Sequence, residues 1–236
     1  MLPPPKAAGF KALAALLIYP ERELIAELDH MRATLEREAM LNAASRALVE
    51  ALIDHLKSAD LLTLQEHYVG LFDRGRSTSL HLFEHVHGES RDRGQAMVDL
   101  SQMYRAHGLE IAANELPDYL PLFLEFLSEL PIAQAIELLR EVAPILATIG
   151  AALAKRASPY AGVIAALVAL SGDSEAGAVI ERAAQAGEAE GDTSPDLDQE
   201  WAEEPVTFGG GVSAPASGGC DKWANVDFGI PRGTRA

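Results

Sequence analysis

The leucine spacing of this chain restricts its fold most, because leucines recur every three or four residues in stretches that end at proline or glycine. Leu13, Leu16 and Leu17 form one such stretch, which closes at Tyr19-Pro20. A proline disfavours helix at the residue before it, and apolar residues at this spacing line one face of a helix. Aromatic residues make up only 6% of the chain, which favours helix over strand. The pattern predicts an all-α protein.

The most apolar stretch runs from Tyr119 to Leu130, where two apolar stripes overlap. A helix that is apolar around so much of its circumference is expected at the centre of a bundle. Pro144 predicts a kink or break in the helix that follows, and Gly108 predicts the end of an earlier one. The same apolar spacing predicts a helix that begins near Glu21. It predicts five more helices, over 48–56, 61–71, 97–104, 145–153 and 160–170.

Beyond Gly172 the composition changes. From Asp173 to Pro205 there are eleven acidic residues and one basic residue, Arg182, a net charge of −10 that resists compaction. Glycine-rich sequence follows. We therefore predict a single helical-bundle domain over residues 1–187 and a mobile acidic tail over residues 188–236.

The charge balance and the single cysteine exclude several function classes. The net charge of −16 repels phosphate backbones and anionic lipids, so we expect no nucleic-acid partner, whereas basic peptides are suitable partners. Cys220 alone can form neither an internal disulfide nor a cysteine-rich zinc site. No apolar run reaches the roughly 18 residues of a membrane span, and the Pro-rich start lacks a signal peptide's basic region. We expect a cytoplasmic protein, with a monomer favoured.

The densest group of reactive side chains lies between His81 and Glu89. If the segment is helical, His81 and His85 share one face four residues apart, and with Glu89 they are candidate metal ligands of a helical enzyme. The alternative is that these imidazoles hydrogen bond to backbone carbonyls and acids. We favour the alternative, because the segment lacks HExxH spacing, and we predict no metal, no cofactor and no catalytic residue.

Two polar segments are candidate binding elements. Arg91-Asp92-Arg93 either lines a binding groove or forms surface ion pairs that contribute less than about 1 kcal/mol each. Asp118 lies just before the central helix, where an N-cap is expected. The capping interpretation is somewhat favoured, while the functional one has Asp118 and Tyr119 gripping a basic peptide.

A family resemblance adds what spacing alone does not give. The stretches 71–79 and 82–100, with Glu115-Leu116-Pro117-Asp118 and Leu124-Glu125-Phe126-Leu127-Ser128, closely resemble the NarJ family of nitrate reductase molybdenum cofactor assembly chaperones. The resemblance extends from Leu17 onward and, more faintly, into 201–208. In the wider class of redox-enzyme maturation chaperones the motif is similar to Glu-x-Pro-Asp-His; here Asp118 matches, and Tyr119 occupies the histidine position.

The resemblance implies an all-helical chaperone that binds the apo catalytic subunit of nitrate reductase, chiefly at its N-terminal segment. It further implies that the client is held ready for molybdenum cofactor and iron–sulfur insertion and membrane assembly, and that the chaperone is absent from the finished enzyme. An alternative client is another molybdoenzyme with a twin-arginine leader. The predicted peptide-binding residues are Glu84, His85, His87, Glu89, Arg91, Tyr104, Glu115, Asp118, Tyr119 and Glu125.

The tail contains one further candidate element, Trp201 to Phe208, which sets apolar side chains among acids. We hypothesise that it competes with the client for the binding groove or folds over the bound peptide.

Overall fold

The computed structural model describes residues 8–87, 91–111 and 115–190, without the side chains of residues 91 and 187–190. Within these ranges the chain is all-α, as the sequence predicts. The helices are α1 (Ala8–Ala15), α2 (Arg22–Glu38), α3 (Ala43–Ser58), α4 (Leu61–Phe72), α5 (Glu84–His87), α6 (Arg91–Ala106), α7 (Leu120–Glu129), α8 (Ile132–Lys155), α9 (Ala161–Ser171) and α10 (Ser174–Glu190), with a 3₁₀ turn at Arg76–Thr78.

Short polar side chains fix where several helices begin. The Asn42 side chain accepts a hydrogen bond from the Ser45 N–H at 2.8 Å at the start of α3. Asp60 accepts from two backbone N–H groups at the start of α4. These caps satisfy donors that the first turn of a helix leaves without partners. Gly108 adopts a left-handed φ of +79° just beyond α6, which confirms it as the predicted stop.

The core is built around α7, which packs against α1 and α8, while α8 also packs against α9 and α10. Leu120, Leu124 and Leu127 of α7 are fully buried, so the prediction of a central helix is confirmed. Helix α9 lies so close to α3 that a β-carbon on Gly162 would approach the Leu48 carbonyl oxygen to 2.7 Å. Glycine is therefore required at this crossing.

Of the kink or break predicted at Pro144, the break is wrong. Helix α8 runs without interruption from Ile132 to Lys155, with Pro144 inside it. A proline inside a helix removes one backbone hydrogen bond and costs about 3 kcal/mol. The neighbouring side chains of Ala143 and Leu146 are completely buried, and their packing holds the helix together across the proline.

The segment after Gly172 forms a helix despite its net negative charge. Helix α10 occupies Ser174–Glu190, and Asp173 caps it by accepting hydrogen bonds from the N–H groups of its first turn. Ile180 is buried and lies over Gly150 of α8, where an added β-carbon would be 2.6 Å from its Cδ1. Glu175 and Glu181 are exposed, so their charges do not oppose the packing of this helix. The tail from residue 191 lies outside the described residues, and the domain boundary stays a prediction.

Two loops meet next to the central helix. The N–H of Leu120 donates to the Leu80 carbonyl at 2.8 Å, and the N–H of Leu82 donates to the Asp118 carbonyl at 3.0 Å. These bonds form an antiparallel bridge between His81 and Tyr119. The bridge brings together the two segments that the sequence marks as binding elements. Among the described helices, none has the length and apolarity to cross a membrane.

Candidate functional site

Asp118 lies at the centre of the bridge and is completely buried. Its Oδ2 accepts a hydrogen bond from the Phe83 N–H at 3.0 Å, and its Oδ1 lies 3.4 Å from the His81 Nδ1. The prediction that Asp118 caps α7 is wrong, since Tyr119 occupies the N-cap position and no side chain accepts there. The carboxylate instead fixes the loop before α5, because a buried acid needs donors and this loop supplies them.

His81 connects the buried carboxylate to the surface. Its ring lies over that of Tyr119, with centroids 5.4 Å apart. The hydrogen bond to Asp118 raises the pKa of His81 above its ordinary value, and although burial opposes the rise, the charges of Asp118 and Glu84 reinforce it. The expectation that His81 shares a helix face with His85 is wrong, because α5 begins only at Glu84.

The side chains of α5 make local polar contacts. The Nε2 of His85 lies 2.9 Å from the Ser79 carbonyl oxygen, and the ring of His87 lies edge-on to that of Phe83. Glu84 accepts from Arg93 of α6 at 3.2 Å. Burial acts to raise the pKa of Glu84, but hydrogen bonding from Ser79 and the charge of Arg93 outweigh it and lower the pKa. Imidazole contacts to carbonyls and acids are the arrangement that we favoured for this segment.

Tyr119 takes part in a tyrosine network that the sequence does not reveal. The Tyr68 hydroxyl donates to the Leu17 carbonyl at 2.9 Å, so the Tyr119 hydroxyl, 3.4 Å away, donates to the Tyr68 oxygen. Burial raises the pKa of both phenols, which keeps them protonated. The ring of Tyr68 also makes an edge-to-face contact with the ring of Tyr19, which is 39% exposed. The hydrogen bond to Tyr68 therefore fixes the Tyr119 ring beside that of His81.

A groove of about 200 Å³ lies beside this bridge, between the end of α6, the loop after it and α7. We call it the α6–α7 groove. Tyr104 and Phe126 form its floor, with ring centroids 4.8 Å apart, and the Tyr104 hydroxyl donates to the Pro117 carbonyl at 2.8 Å. That bond joins the groove to the Asp118 loop. The walls are apolar and the rim is charged: Leu109, Ile111 and Leu122 form the walls, and Lys11, Glu110, Glu125 and Glu129 form the rim.

The structure divides the predicted binding residues into two groups. The bridge carries Asp118, Tyr119 and the α5 residues Glu84, His85 and His87; the groove carries Tyr104 and Glu125. Glu115 is exposed in the loop before the bridge. Glu89 and the Arg91 side chain lie outside the described residues, and so do Trp201–Phe208.

Sequence reasoning missed the groove walls and the tyrosine network. Leu109 and Ile111 follow the glycine that ends α6, so helical periodicity does not register them. Tyr68 lies inside the helix that the sequence predicts over 61–71, and its hydroxyl gives no local signal. A polar tip on a buried aromatic ring requires a partner, which is the one clue the sequence offered. Among the described residues, no group of three or more His, Cys, Asp or Glu side chains is arranged to hold a metal.

The described residues form an all-α bundle with a groove that combines apolar walls and a charged rim. Residues 38–166 match the model of the nitrate reductase delta subunit family, and the chain belongs to this family. It is 44% identical over 196 residues to the "Nitrate reductase molybdenum cofactor assembly chaperone NarJ" of Escherichia coli strains K12 and O157:H7, covering 83% of each chain. It is 47% identical over 146 residues to the "Probable nitrate reductase molybdenum cofactor assembly chaperone NarW" of strain K12, covering 62% of this chain and 60% of that one.

These comparisons confirm the resemblance on which the sequence analysis relied. The relatives carry the names of chaperones and not of enzymes, which confirms the prediction of a non-enzymatic chaperone.

Proposed function

We propose that this chain is the dedicated chaperone of a nitrate reductase: it binds the apo catalytic subunit at its N-terminal segment and holds it ready for molybdenum cofactor and iron–sulfur insertion and membrane assembly. It acts in the cytoplasm, as a monomer, and leaves the finished enzyme. Its relatives' names support the client. The observation that carries the binding mode is the α6–α7 groove, which combines an apolar floor with an acidic rim.

The groove suits an amphipathic segment with basic side chains. Such a segment buries its apolar face between Leu109, Ile111 and Leu122 and sets its cations against Glu110 and Glu125. Burial supplies most of the affinity, at about 25 cal/mol per Å². Rim charge mainly speeds encounter and selects against acidic partners. The affinity is therefore expected to tolerate salt better than the association rate does.

The predicted binding residues act on the client in different ways in this proposal. Asp118 is completely buried and positions the loop that holds Tyr104 through Pro117, so its effect on the client is indirect. Tyr104 and Glu125 contact the bound segment, and Glu115 adds charge beside it. The partly buried side chains of α5, Glu84, His85 and His87, continue the binding surface, as do Glu89 and Arg91.

Calorimetric titration tests this proposal. The full chain is titrated with a synthetic peptide of the N-terminal segment of the nitrate reductase catalytic subunit from the same organism. Leu122→Ala removes apolar wall and is expected to weaken binding by about tenfold or more. Leu62→Ala is the matched control, because Leu62 is 64% exposed on α4 and lies outside the groove.

Three results would contradict the proposal: no binding of the peptide, equal effects of the two leucine substitutions, or normal nitrate reductase maturation in a strain that lacks the chain. Tighter binding of a twin-arginine leader from another molybdoenzyme would reassign the client.

A further inference from the structure

The end of the chain has the side chains that the α6–α7 groove is suited to bind. From residue 222 onward there are three basic residues and one acidic residue, Asp227, a net charge of +2. Residues 191–208 instead contain six acids and no base. The final segment therefore differs in charge from the rest of the tail. Its apolar residues are Trp223, Phe228 and Ile230, and its basic residues are Lys222, Arg232 and Arg235.

The charge of the groove rim favours the basic segment after residue 221 over the acidic residues 191–208. Glu110, Glu125 and Glu129 set three carboxylates around the apolar floor, against the single ammonium group of Lys11. The rim thus carries a net charge of −2, opposite to that of the last residues. The acidic element Trp201–Phe208 contains two carboxylates, those of Glu203 and Glu204, which would be repelled by the carboxylates of the rim. By charge, the final segment is the better occupant.

The chain is long enough for this contact. Helix α10 ends at Glu190, so the 31 residues 191–221 separate it from Lys222. A chain of that length spans at most about 100 Å. A domain of about 180 residues has a radius of gyration of about 16 Å. Every surface of the helical body is therefore within reach, and a tethered segment has an effective concentration of about millimolar.

We propose that the segment Lys222–Arg235 binds the α6–α7 groove of its own chain. Trp223 and Phe228 fill the apolar floor, and the arginines lie against Glu110 and Glu125. The docking of this segment does not depend on the client, but its effect on the client rests on the proposed function. A client segment must displace Lys222–Arg235 from the groove. The apparent affinity of the client is therefore its intrinsic affinity multiplied by the fraction of chains whose groove is open.

The two tryptophans make this docking measurable in the full chain. Trp201 and Trp223 are the only tryptophans in the sequence, so Trp201→Phe leaves Trp223 as the sole reporter, and Trp223→Phe leaves Trp201. In the first variant we expect blue-shifted emission and acrylamide quenching reduced about threefold relative to the second, since a docked indole is shielded from water. Equal quenching of the two tryptophans, at the level of free indole, would overturn the proposal. Shielding of Trp201 alone would overturn it in favour of the acidic element.

A pair of matched charge reversals locates the docking site. Glu125→Lys reverses a rim charge, whereas Glu137→Lys makes the same change at an exposed position on α8, away from the groove. Introduced beside Trp201→Phe, the first is expected to weaken docking of Trp223 by about two- to fivefold or more, the effect of an exposed ion pair. The second is expected to leave quenching unchanged. Equal effects from both reversals would mean that the groove is not the site.

The client peptide then separates this inference from the proposed function. In Arg232→Ser/Arg235→Ser chains, we expect the N-terminal peptide of the catalytic subunit to bind several-fold more tightly than in the unaltered chain. It should also release Trp223 from the groove. If Trp223 is docked and the peptide neither binds nor displaces it, the proposed function fails while the docking stands. If the peptide binds with the same affinity to both chains, the competition is refuted.

Discussion

Replacing Asp118 by Asn tests the buried connection between the two candidate binding elements. The substitution keeps the shape of the side chain but removes its charge. In the unaltered chain, the Asp118 carboxylate accepts a hydrogen bond from the Phe83 N–H at 3.0 Å and faces the His81 Nδ1 at 3.4 Å. A hydrogen bond to a charged group contributes about 1.5–3 kcal/mol and a neutral one about 0.5–1.5 kcal/mol. We therefore expect a loss of about 1–2 kcal/mol of unfolding free energy even where His81 is neutral.

The loss should grow as the pH falls. The pKa of His81 is raised in the folded chain, first by its hydrogen bond to Asp118. A raised folded pKa stabilises the protein fully below the ordinary value of 6.5, and this contribution disappears as the pH rises through the folded pKa. In the Asn variant the amide N–H₂ faces the imidazole, so the pKa of His81 falls. The difference between the two proteins is thus largest below pH 6.5.

Urea unfolding followed by far-UV circular dichroism measures this difference at about pH 5.5 and about pH 8.5. Asp173→Asn is the control, because Asp173 caps α10 and Asn caps a helix equally well. It is expected to change stability little at either pH. A difference for Asp118→Asn that stays constant between the two pH values would refute the coupling to His81. No destabilisation at all would refute the role of the carboxylate in holding the loop.

Three further substitutions test the packing that positions the site, each by urea unfolding. Gly162→Ala should destabilise the fold by more than 1 kcal/mol, because the added β-carbon would press on the backbone of Leu48. Gly177→Ala is the control: an added β-carbon there meets no atom within 4 Å, so this change should stabilise α10 by about 0.5–1 kcal/mol. Equal effects of the two changes would contradict the close approach of α9 to α3. Ile180→Ala should cost about 2–4 kcal/mol, and a negligible loss would mean that α10 does not pack on α8. Tyr104→Phe should cost about 1 kcal/mol through its lost hydrogen bond to the loop before α7, whereas unchanged stability together with unchanged peptide affinity would separate the groove from that loop.

Helices whose apolar residues follow the helical period were predictable from the sequence. The central position of α7 follows from its two apolar stripes, and the end of α6 follows from Gly108. Most of helix α10 lies inside the helical domain predicted over 1–187, but it was not predicted as a separate helix because the net charge of its segment hides the buried positions Ala176, Ile180 and Ala183. A sum over charges ignores which face they occupy, and the face decides whether a helix packs.

The site could be predicted only as separate parts. An acid just before a helix looks like an N-cap in any sequence, and only the distant Phe83 N–H shows that Asp118 has another role. Tyr104 and Glu125 were predicted individually, but the groove arises where α6, its following loop and α7 come together. Local helix propensity does not predict which elements pack together, because tertiary contacts supply the energy of that packing.

The bridge at His81 and Tyr119 affects how freely this protein can vary. Because Leu80 and Leu120 are joined by a backbone hydrogen bond, the stretch between them begins and ends at one point of the fold. Leu100 and Met103 of α6, within that stretch, are buried in the core, so the stretch is tied to the bundle at both its ends and its middle. A change of length in this stretch is therefore compatible with the fold only where it leaves these two side chains in place.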